Sequence, residues 1–530
     1  MRRWLGLALV VLAGCGPSDA QPAAETDDAT AAARQAQPSP ESDTEPAAFG
    51  ACAEANLIII SLDTLRADAT SFGGGAPNIS PALAAFAAEG TVFENARAQA
   101  PHTAPSHMSL FTSALPAVHE VQNVSFRKDA GAGEKAIIVP ARPDVPTLAE
   151  VLKAAGFRTI GHTDGGNLNP PHGFARGFDT YTYDLQGARD KVALGVQELQ
   201  ALAAQDGGRS FLFWHTYQIH APYCPPQAYI DNWAPKNYAG PLRERLESLG
   251  DMSFKERFGA MKTLFWKDRE TFSWPEAAFL HGVYKGGIRY TDDELGALFR
   301  AMAETGALGN SVVVLLSDHG EEFFEHGAWQ HEQLYEECLR VPLVVRLPDR
   351  RGAGQRLRTP VALMDVMPTV LELLGIDPAR LALPGRVRSG GRSLASSLLT
   401  GREPRPLPVI SELIDDRGEG GNYERIVAIH SNGLKYVHDR VRVETDAEGH
   451  ALRGPGGKPL PLRQLFDLGK DPDEQANLAA SGAAALKEFD KLYAAYEVVV
   501  KLEQASEGDR APIEVSPEME EQLRQLGYTR

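Results

Sequence analysis

Residues 56–68 read NLIIISLDTLRAD. The run NLIIISL is almost uninterruptedly apolar and rich in β-branched isoleucine. It lacks the polar alternation of a strand with one wet face. That pattern predicts a strand buried on both sides, as in a parallel sheet covered by helices. The strand ends at Asp63, an acid placed where an apolar run stops.

The same grammar repeats along the chain. SPALAAFAAEG (80–90) reads as a helix closed by Gly90. DVPTLAEVLKAAGFRTIGHT (144–163) reads as helix, glycine stop, strand. RSFLFWHT (209–216) is a further strand, and DELGALFRAMAETGALGNSVVVLLSDHG (293–320) is helix, turn and strand. VPLVVRL (341–347) is a strand and VALMDVMPTVLELLGI (361–376) carries a helix. Strands alternating with helices predict an α/β fold, a mostly parallel central sheet flanked by helices.

From about residue 396 the character changes. RIVAIHSNGLKYVHD (425–439) and PLRQLFDL (461–468) read as short antiparallel strands between Gly-rich turns. A smaller C-terminal α+β subdomain is expected over 396–512, after a catalytic domain over 51–395. SGAAALKEFDKLYAAYEVVVKLEQA (481–505) is its closing helix, and 513–530 reads as a short amphipathic tail helix.

The chain has 530 residues, 43% hydrophobic and 23% charged, with a formal net charge of -17. The composition is globular. The charge argues against nucleic acid as a partner and leaves room for an anionic substrate at a locally positive site. MRRWLGLALVVLAGC (1–15) has two arginines, a short apolar run and small residues before Cys15. The run is too short to span a bilayer and reads as an export signal. Its end resembles a bacterial lipobox, in which Cys15 is lipidated; an ordinary secretory signal is the alternative. Gly16 after the cysteine leans, by that resemblance, towards the outer membrane, with membrane contact through the lipid alone. Residues 16–50, rich in Ala, Pro, Gln, Ser, Thr and acids, read as a tether. Cys52, Cys224 and Cys338 form no disulfide framework, and one bridge among them is conceivable.

Two strands end in acids: Asp63 after the first, Asp318 and His319 after SVVVLLS (311–317). Sites in open α/β sheets gather at the carboxyl ends of strands. Two acids and a histidine there suit one divalent cation: Mg, Ca or Mn by oxygen ligation, Zn by the imidazole. Between them lies PHTAPSHMSLFTS (101–113), a turn and helix start. Thr103 is there either an ordinary helix-start residue or a nucleophile at the positive end of a helix.

LDTLRAD (62–68), PNISPALAAFAAEGTVFENARAQAPHTAPSHMSLFTS (77–113), SDHGEEFFEHG (317–327), LYEECLRVPLVV (334–345) and QLFDLGKDPDEQANLA (464–479) together resemble the sulfatase family of the alkaline phosphatase superfamily. The resemblance runs from about residue 55 to 480. It implies that Asp63, Asp318 and His319 bind the metal. It sets Thr103 at the nucleophile position, also touching the metal. It matches His220, in WHTYQIHAPY (214–223), to a substrate-site histidine, and His331 to a lysine that binds the substrate oxyanion. His215 reads as structural and Lys435 as a solvated strand residue.

The departures bear on chemistry. Many sulfatases carry Cys or Ser at the nucleophile position, oxidised to formylglycine, then Pro two residues on and Arg four residues on. Here stand Thr103, Pro105 and His107. A second acid after the first strand is replaced by Thr64. A Lys-x-His substrate pair is absent, with HTDGGNLNPPHG (162–173) in its place, leaving His102, His107 or His162 as stand-ins. A formylglycine hydrate expels sulfate by collapsing to an aldehyde, which a threonine ester cannot do. A phosphothreonine can be hydrolysed at phosphorus with metal help. The expectation is therefore a metal-dependent hydrolase or transferase of phosphate or sulfate esters, phosphate mono- or diesters favoured, with Thr103, His107, His220 and His331 as catalytic candidates. The substrate would be a small molecule or a glycan or lipid ester. The alternatives are a sulfatase working without formylglycine and a non-catalytic lipoprotein that binds anionic glycans. The helix-rich stretch 232–276 is a candidate cover for the site.

Overall fold

The computed structural model describes residues 48–129, 133–204, 207–268, 271–388, 390–415, 424–439, 462–504 and 513–514. The lipobox and residues 16–47 of the expected tether lie outside them; residues 48–50 belong instead to the folded body, where the Gly50 N–H donates to the Glu372 carbonyl at 2.8 Å. Eight strands form the central sheet. Their order is Arg356–Leu357, Thr91–Phe93, Leu343–Arg346, Ser311–Leu316, Asn56–Leu62, Ser210–Thr216, Arg158–His162 and Thr180–Thr182. The Asn56–Leu62 strand lies at the centre, parallel to the strands on both sides of it. Leu343–Arg346 runs against both its neighbours. The α/β expectation, with a mostly parallel sheet, holds.

The two-sided burial inferred from NLIIISL is literal. Ile58 and Ile60 enter one core with Leu212, Trp214, Val313 and Leu315 from the flanking strands. Leu57 and Ile59 enter the opposite core with Phe211, Phe213, Val312 and Val314. Successive strand side chains point to opposite faces, so a sheet covered on both sides needs apolar residues at every position. The first core is closed by the long helix Trp274–Glu304, the second by the helices Thr103–Thr112 and Val366–Leu373. At the carboxyl end of the strands the second face turns polar. Ser61 continues the Leu57–Ile59 side and lies in register with His215. Asp63 follows, its N–H donating to the Thr216 carbonyl at 3.2 Å. Thr64 then takes a left-handed backbone (φ 60°), a conformation that costs a β-branched residue energy and turns the chain sharply away from the sheet.

The C-terminal strands Val409–Asp415, Glu424–Ser431, Leu434–Asp439 and Arg463–Asp467 form a separate antiparallel sheet. The Ala483–Gln504 helix covers it through Phe489, Tyr493 and Tyr496. One point the sequence left open is settled, and two details depart from its reading. Cys52, Cys224 and Cys338 are free thiols, each buried in place rather than bridged. Ile513–Glu514 is a strand paired with Gly133–Ile138, not the start of a helix; the rest of that expected tail helix lies outside the described residues. Lys435 is fully buried, with Nζ 2.8 Å from Glu474 and 3.5 Å from Glu336. Its strand faces the catalytic body there, not solvent. No helix among the described residues is long and apolar enough to cross a membrane.

Removing one partner of a buried ion cluster strands the remaining charges. Lys435→Ala is therefore expected to lower folding stability by about 3–5 kcal/mol in chemical denaturation. A change under about 1 kcal/mol, the range of an exposed ion pair, would show that the lysine is solvated after all.

Candidate active site

The two strand ends meet as the sequence predicts. Asp63, Asp318 and His319 are fully buried, and each offers a ligand atom within 4.8 Å of the others. Asp63 ends the central strand; Asp318 and His319 follow Ser311–Leu316 beside it. Thr103 opens the Thr103–Thr112 helix, with Oγ1 3.3 Å from His319 Nε2. Its helix is buried throughout. Ala104 N–H donates to Asn123 Oδ1 at 3.3 Å, and Pro105 has no N–H to place. The helix start thus adds a partial positive charge at the threonine.

His319 Nδ1–H donates to the Gly320 carbonyl at 2.9 Å. That bond leaves the Nε2 lone pair facing Asp318 Oδ2 at 3.5 Å and Asp63 Oδ1 at 3.9 Å. Asp63 Oδ1 and Asp318 Oδ1 find no hydrogen-bond partner, and Asp318 Oδ2 has only the shared His107 Nδ1–H, 3.2 Å away. Lone pairs that converge in a buried site, with no proton between them, are arranged for a cation. Two carboxylates, one imidazole and one hydroxyl suit a divalent ion of the Mg, Ca or Mn type and do not exclude Zn.

Electrostatics of the donor set point the same way. Burial, then the adjacent Asp318, pushes the Asp63 carboxyl well above the usual range. Burial also opposes charge on Asp318, but His319 and His107 beside it hold that carboxyl below the usual range. Burial lowers His319 to about 3, so it stands neutral as a ligand must. Two adjacent buried acids resist being charged together unless a cation joins them.

The other predicted residues separate into two groups. His107 does not face the substrate side. Its Nδ1–H points at the Thr103 carbonyl (2.9 Å) and Asp318 Oδ2 (3.2 Å), and Nε2 accepts from Ser61 Oγ at 2.9 Å. It braces an acid instead of contacting an ester. His215, read as structural, does the same for the other acid: Nε2–H donates to Asp63 Oδ2 at 3.1 Å. His162 is also turned away, bonded to Thr182 Oγ1 at 2.8 Å and 3.7 Å from Glu198. Conversely, His102, His220 and His331 do assemble beside Thr103. The His331 ring lies 4.4 Å from that of His319, 5.4 Å from His220 and 5.6 Å from His102. Burial lowers His220, and burial with the neighbouring His220 and His102 lowers His331 well below the usual imidazole range.

Two groups escaped the sequence reading. Glu321 Oε1 lies 2.9 Å from His331 Nδ1, and burial raises its carboxyl to about 8. The signal was register. Glu322–Phe323 pairs antiparallel with Trp329–Gln330, Glu322 opposite Gln330, which sets the next residues out, Glu321 and His331, face to face. Asp164, in the stretch that replaces the Lys-x-His pair, accepts from Thr216 Oγ1 and Tyr217 N–H at 2.9 and 2.8 Å and pairs with buried Lys191 at 3.2 Å. That stretch holds the loop leading to His220. The 232–276 stretch is helical, as expected (for example Pro241–Glu247 and Phe254–Asp268). Within it, Arg257 donates to the Cys224 and Pro225 carbonyls, just beyond His220.

The sulfatase family profile matches residues 55–376. The chain belongs to the sulfatase family. It is a sulfatase-like hydrolase of ester bonds. Among curated relatives, arylsulfatase K of Xenopus laevis is 30% identical over 225 residues, covering 42% of this chain and 37% of that protein. Choline-sulfatase of Rhizobium meliloti is 25% identical over 465 residues, covering 80% of this chain and 82% of that protein. Two solved structures share the fold. One, determined in complex with D-glucosamine-2-N,6-O-disulfate, has a TM-score of 0.62 at 18% identity, covering 86% of this chain and 99% of that chain. The other, phosphonate monoester hydrolase of Agrobacterium radiobacter, has a TM-score of 0.61 at 19% identity, covering 87% and 100%.

Outer-shell partners of metal ligands typically carry 10–100-fold of affinity, roughly. Replacing the Asp63 brace, His215→Phe, should therefore weaken Mn²⁺ binding by about 10–100-fold in calorimetric titration. An unchanged affinity would remove His215 from the account of the metal site.

Proposed function

We propose that the protein is a metal-dependent hydrolase of singly charged phosphorus esters, phosphodiesters foremost, with Thr103 as nucleophile. The observation that carries this reading is the Thr103 hydroxyl itself, 3.3 Å from His319 Nε2 at the start of a buried helix and next to the paired acids. The divalent ion held by Asp63, Asp318, His319 and Thr103 would lower the hydroxyl pKa and neutralise ester oxygens. Thr103 Oγ1 attacks phosphorus, and the ester's alcohol leaves. Water then cleaves the phosphoryl–threonine bond and restores the hydroxyl. His220, from the loop braced by Asp164 and Arg257, is placed to contact the ester or leaving oxygen.

Charge supports the choice of ester. The buried Arg and Lys side chains among the described residues are engaged elsewhere. Arg66 pairs with Asp68 and Glu325, Arg97 with Glu336, Arg142 with Asp144, Arg346 with Glu89. Lys191 pairs with Asp164 and Lys435 with Glu474, and Arg257 bonds carbonyls. Around Thr103 stand imidazoles that burial keeps neutral. A dianionic phosphate monoester would bring two charges into a site whose metal is already matched by two carboxylates; a monoanion brings one, and desolvation cost rises steeply with charge. Sulfate esters are also monoanions. The threonine then selects phosphorus, since it has no aldehyde route for expelling sulfate.

Hydrolysis of sulfate esters is the second reading, favoured by the choline-sulfatase and arylsulfatase relatives. One assay separates them, offering an aryl phosphodiester, an aryl phosphate and an aryl sulfate side by side. The diester should be turned over fastest, and Thr103→Ala should lose about a thousandfold or more while Mn²⁺ binding persists, as for other essential nucleophiles. Faster aryl sulfate hydrolysis, or full activity in Thr103→Ala, would overturn the proposal.

We also propose that the chain is exported and lipid-anchored at Cys15, in the outer membrane, with residues 16–47 as tether. Labelled palmitate should enter the protein and be absent from Cys15→Ala. Equal labelling of the two would contradict the anchor.

A further inference from the structure

A threonine nucleophile creates a second problem that an aldehyde-forming one avoids. The covalent phosphothreonine does not break by itself; water must attack phosphorus and expel a poorly leaving alkoxide. Such a step calls for a base next to the attacking water. The Glu321–His331 pair meets that need. With Glu321 ionised, His331 Nδ1–H donates to its Oε1 at 2.9 Å, which fixes the ring plane and leaves the Nε2 lone pair, on the other side of the ring, for chemistry. The ring lies between those of His102, His220 and His319, and His319 touches the Thr103 hydroxyl. Both partners are buried, so the orientation is not lost to solvent. The hairpin Glu322–Phe323/Trp329–Gln330 sets the pair face to face, so the dyad is built into the register of the fold.

We infer that His331 is the catalytic base of the second half-reaction and Glu321 the positioning residue that holds it. In that step a water oxygen forms a bond to phosphorus and the Thr103 Oγ1–phosphorus bond breaks. The water proton passes to His331 Nε2, the threonine oxygen takes a proton from solvent water to regain its hydroxyl, and His331 returns its proton to solvent. Glu321 touches neither substrate nor water and acts only through the imidazole. The inference rests on Thr103 being the nucleophile.

The test uses the full-length, metal-loaded protein with bis(4-nitrophenyl) phosphate. Its good leaving group needs little protonation, so the first step should survive loss of the dyad. In His331→Ala, rapid quench should show a burst of close to one nitrophenolate per site. A steady rate about 100-fold or more below wild type should follow, in the range of a lost general base. Mass spectrometry of the quenched protein should find the aryl phosphoryl group on Thr103. Glu321→Gln, which keeps an acceptor of the same shape, should fall between wild type and Glu321→Ala in decay of that adduct. If Glu321→Ala does not fold, His331→Ala and Glu321→Gln decide the matter alone. Adduct decay at the wild-type rate in those variants, or equal loss in burst and steady rates, would overturn this inference and leave the Thr103 proposal standing. Absence of any Thr103 adduct, with activity retained in Thr103→Ala, would overturn both.

Discussion

The structure around Thr103 depends on one constraint: Asp63, Asp318 and His319 aim lone pairs at a common buried point. His319 has its only ring N–H committed to the Gly320 carbonyl. Asp63 Oδ1 and Asp318 Oδ1 have no hydrogen-bond partner, and Asp318 Oδ2 has only His107 beside it. Uncompensated, the two acids resist being ionised together: burial and Asp318 push Asp63 up, while His319 and His107 hold Asp318 down against its burial. A divalent cation turns that repulsion into binding. Folding and metal affinity would then be linked, because the same buried acids that destabilise the fold on their own would hold the ion.

The sheet creates the constraint and the braces contain it. Parallel neighbours put the carboxyl ends of Asn56–Leu62, Ser210–Thr216 and Ser311–Leu316 on the same edge. Alternation then delivers Ser61 and His215 to the side covered by the Thr103 helix. There His215 holds Asp63, while Ser61 orients His107, which holds Asp318. Where the family places an arginine, His107 supplies bracing of an acid, and no cation is presented to the substrate from that position. The resulting site is rich in imidazole, and its expected preference for a monoanion follows from that composition.

Much of this was legible in the sequence. The central strand, the strand-end acids and the helix at Thr103 could be read because each is written in contiguous residues: an unbroken apolar run, an acid at its end, a proline two residues after the threonine. The antiparallel C-terminal sheet was legible from short apolar runs between glycines. What escaped depended on distant pairings. Glu321 acquires its meaning only from the register that faces it with His331, ten residues away. Lys435 looks like any polar strand residue until Glu336 and Glu474, from two other segments, close over it. His107 carries the same side chain whether it turns to substrate or to Asp318, and only the packing of its helix on Ser61 decides between them.

The most direct measurement is a crystal structure of the protein soaked with vanadate and Mn²⁺. The account predicts vanadium bonded to Thr103 Oγ1 and anomalous manganese density among Asp63, Asp318 and His319, with His331 on the side of vanadium away from the threonine. Vanadium held by other residues with the Thr103 hydroxyl unengaged, or manganese outside the Asp63, Asp318 and His319 group, would contradict it.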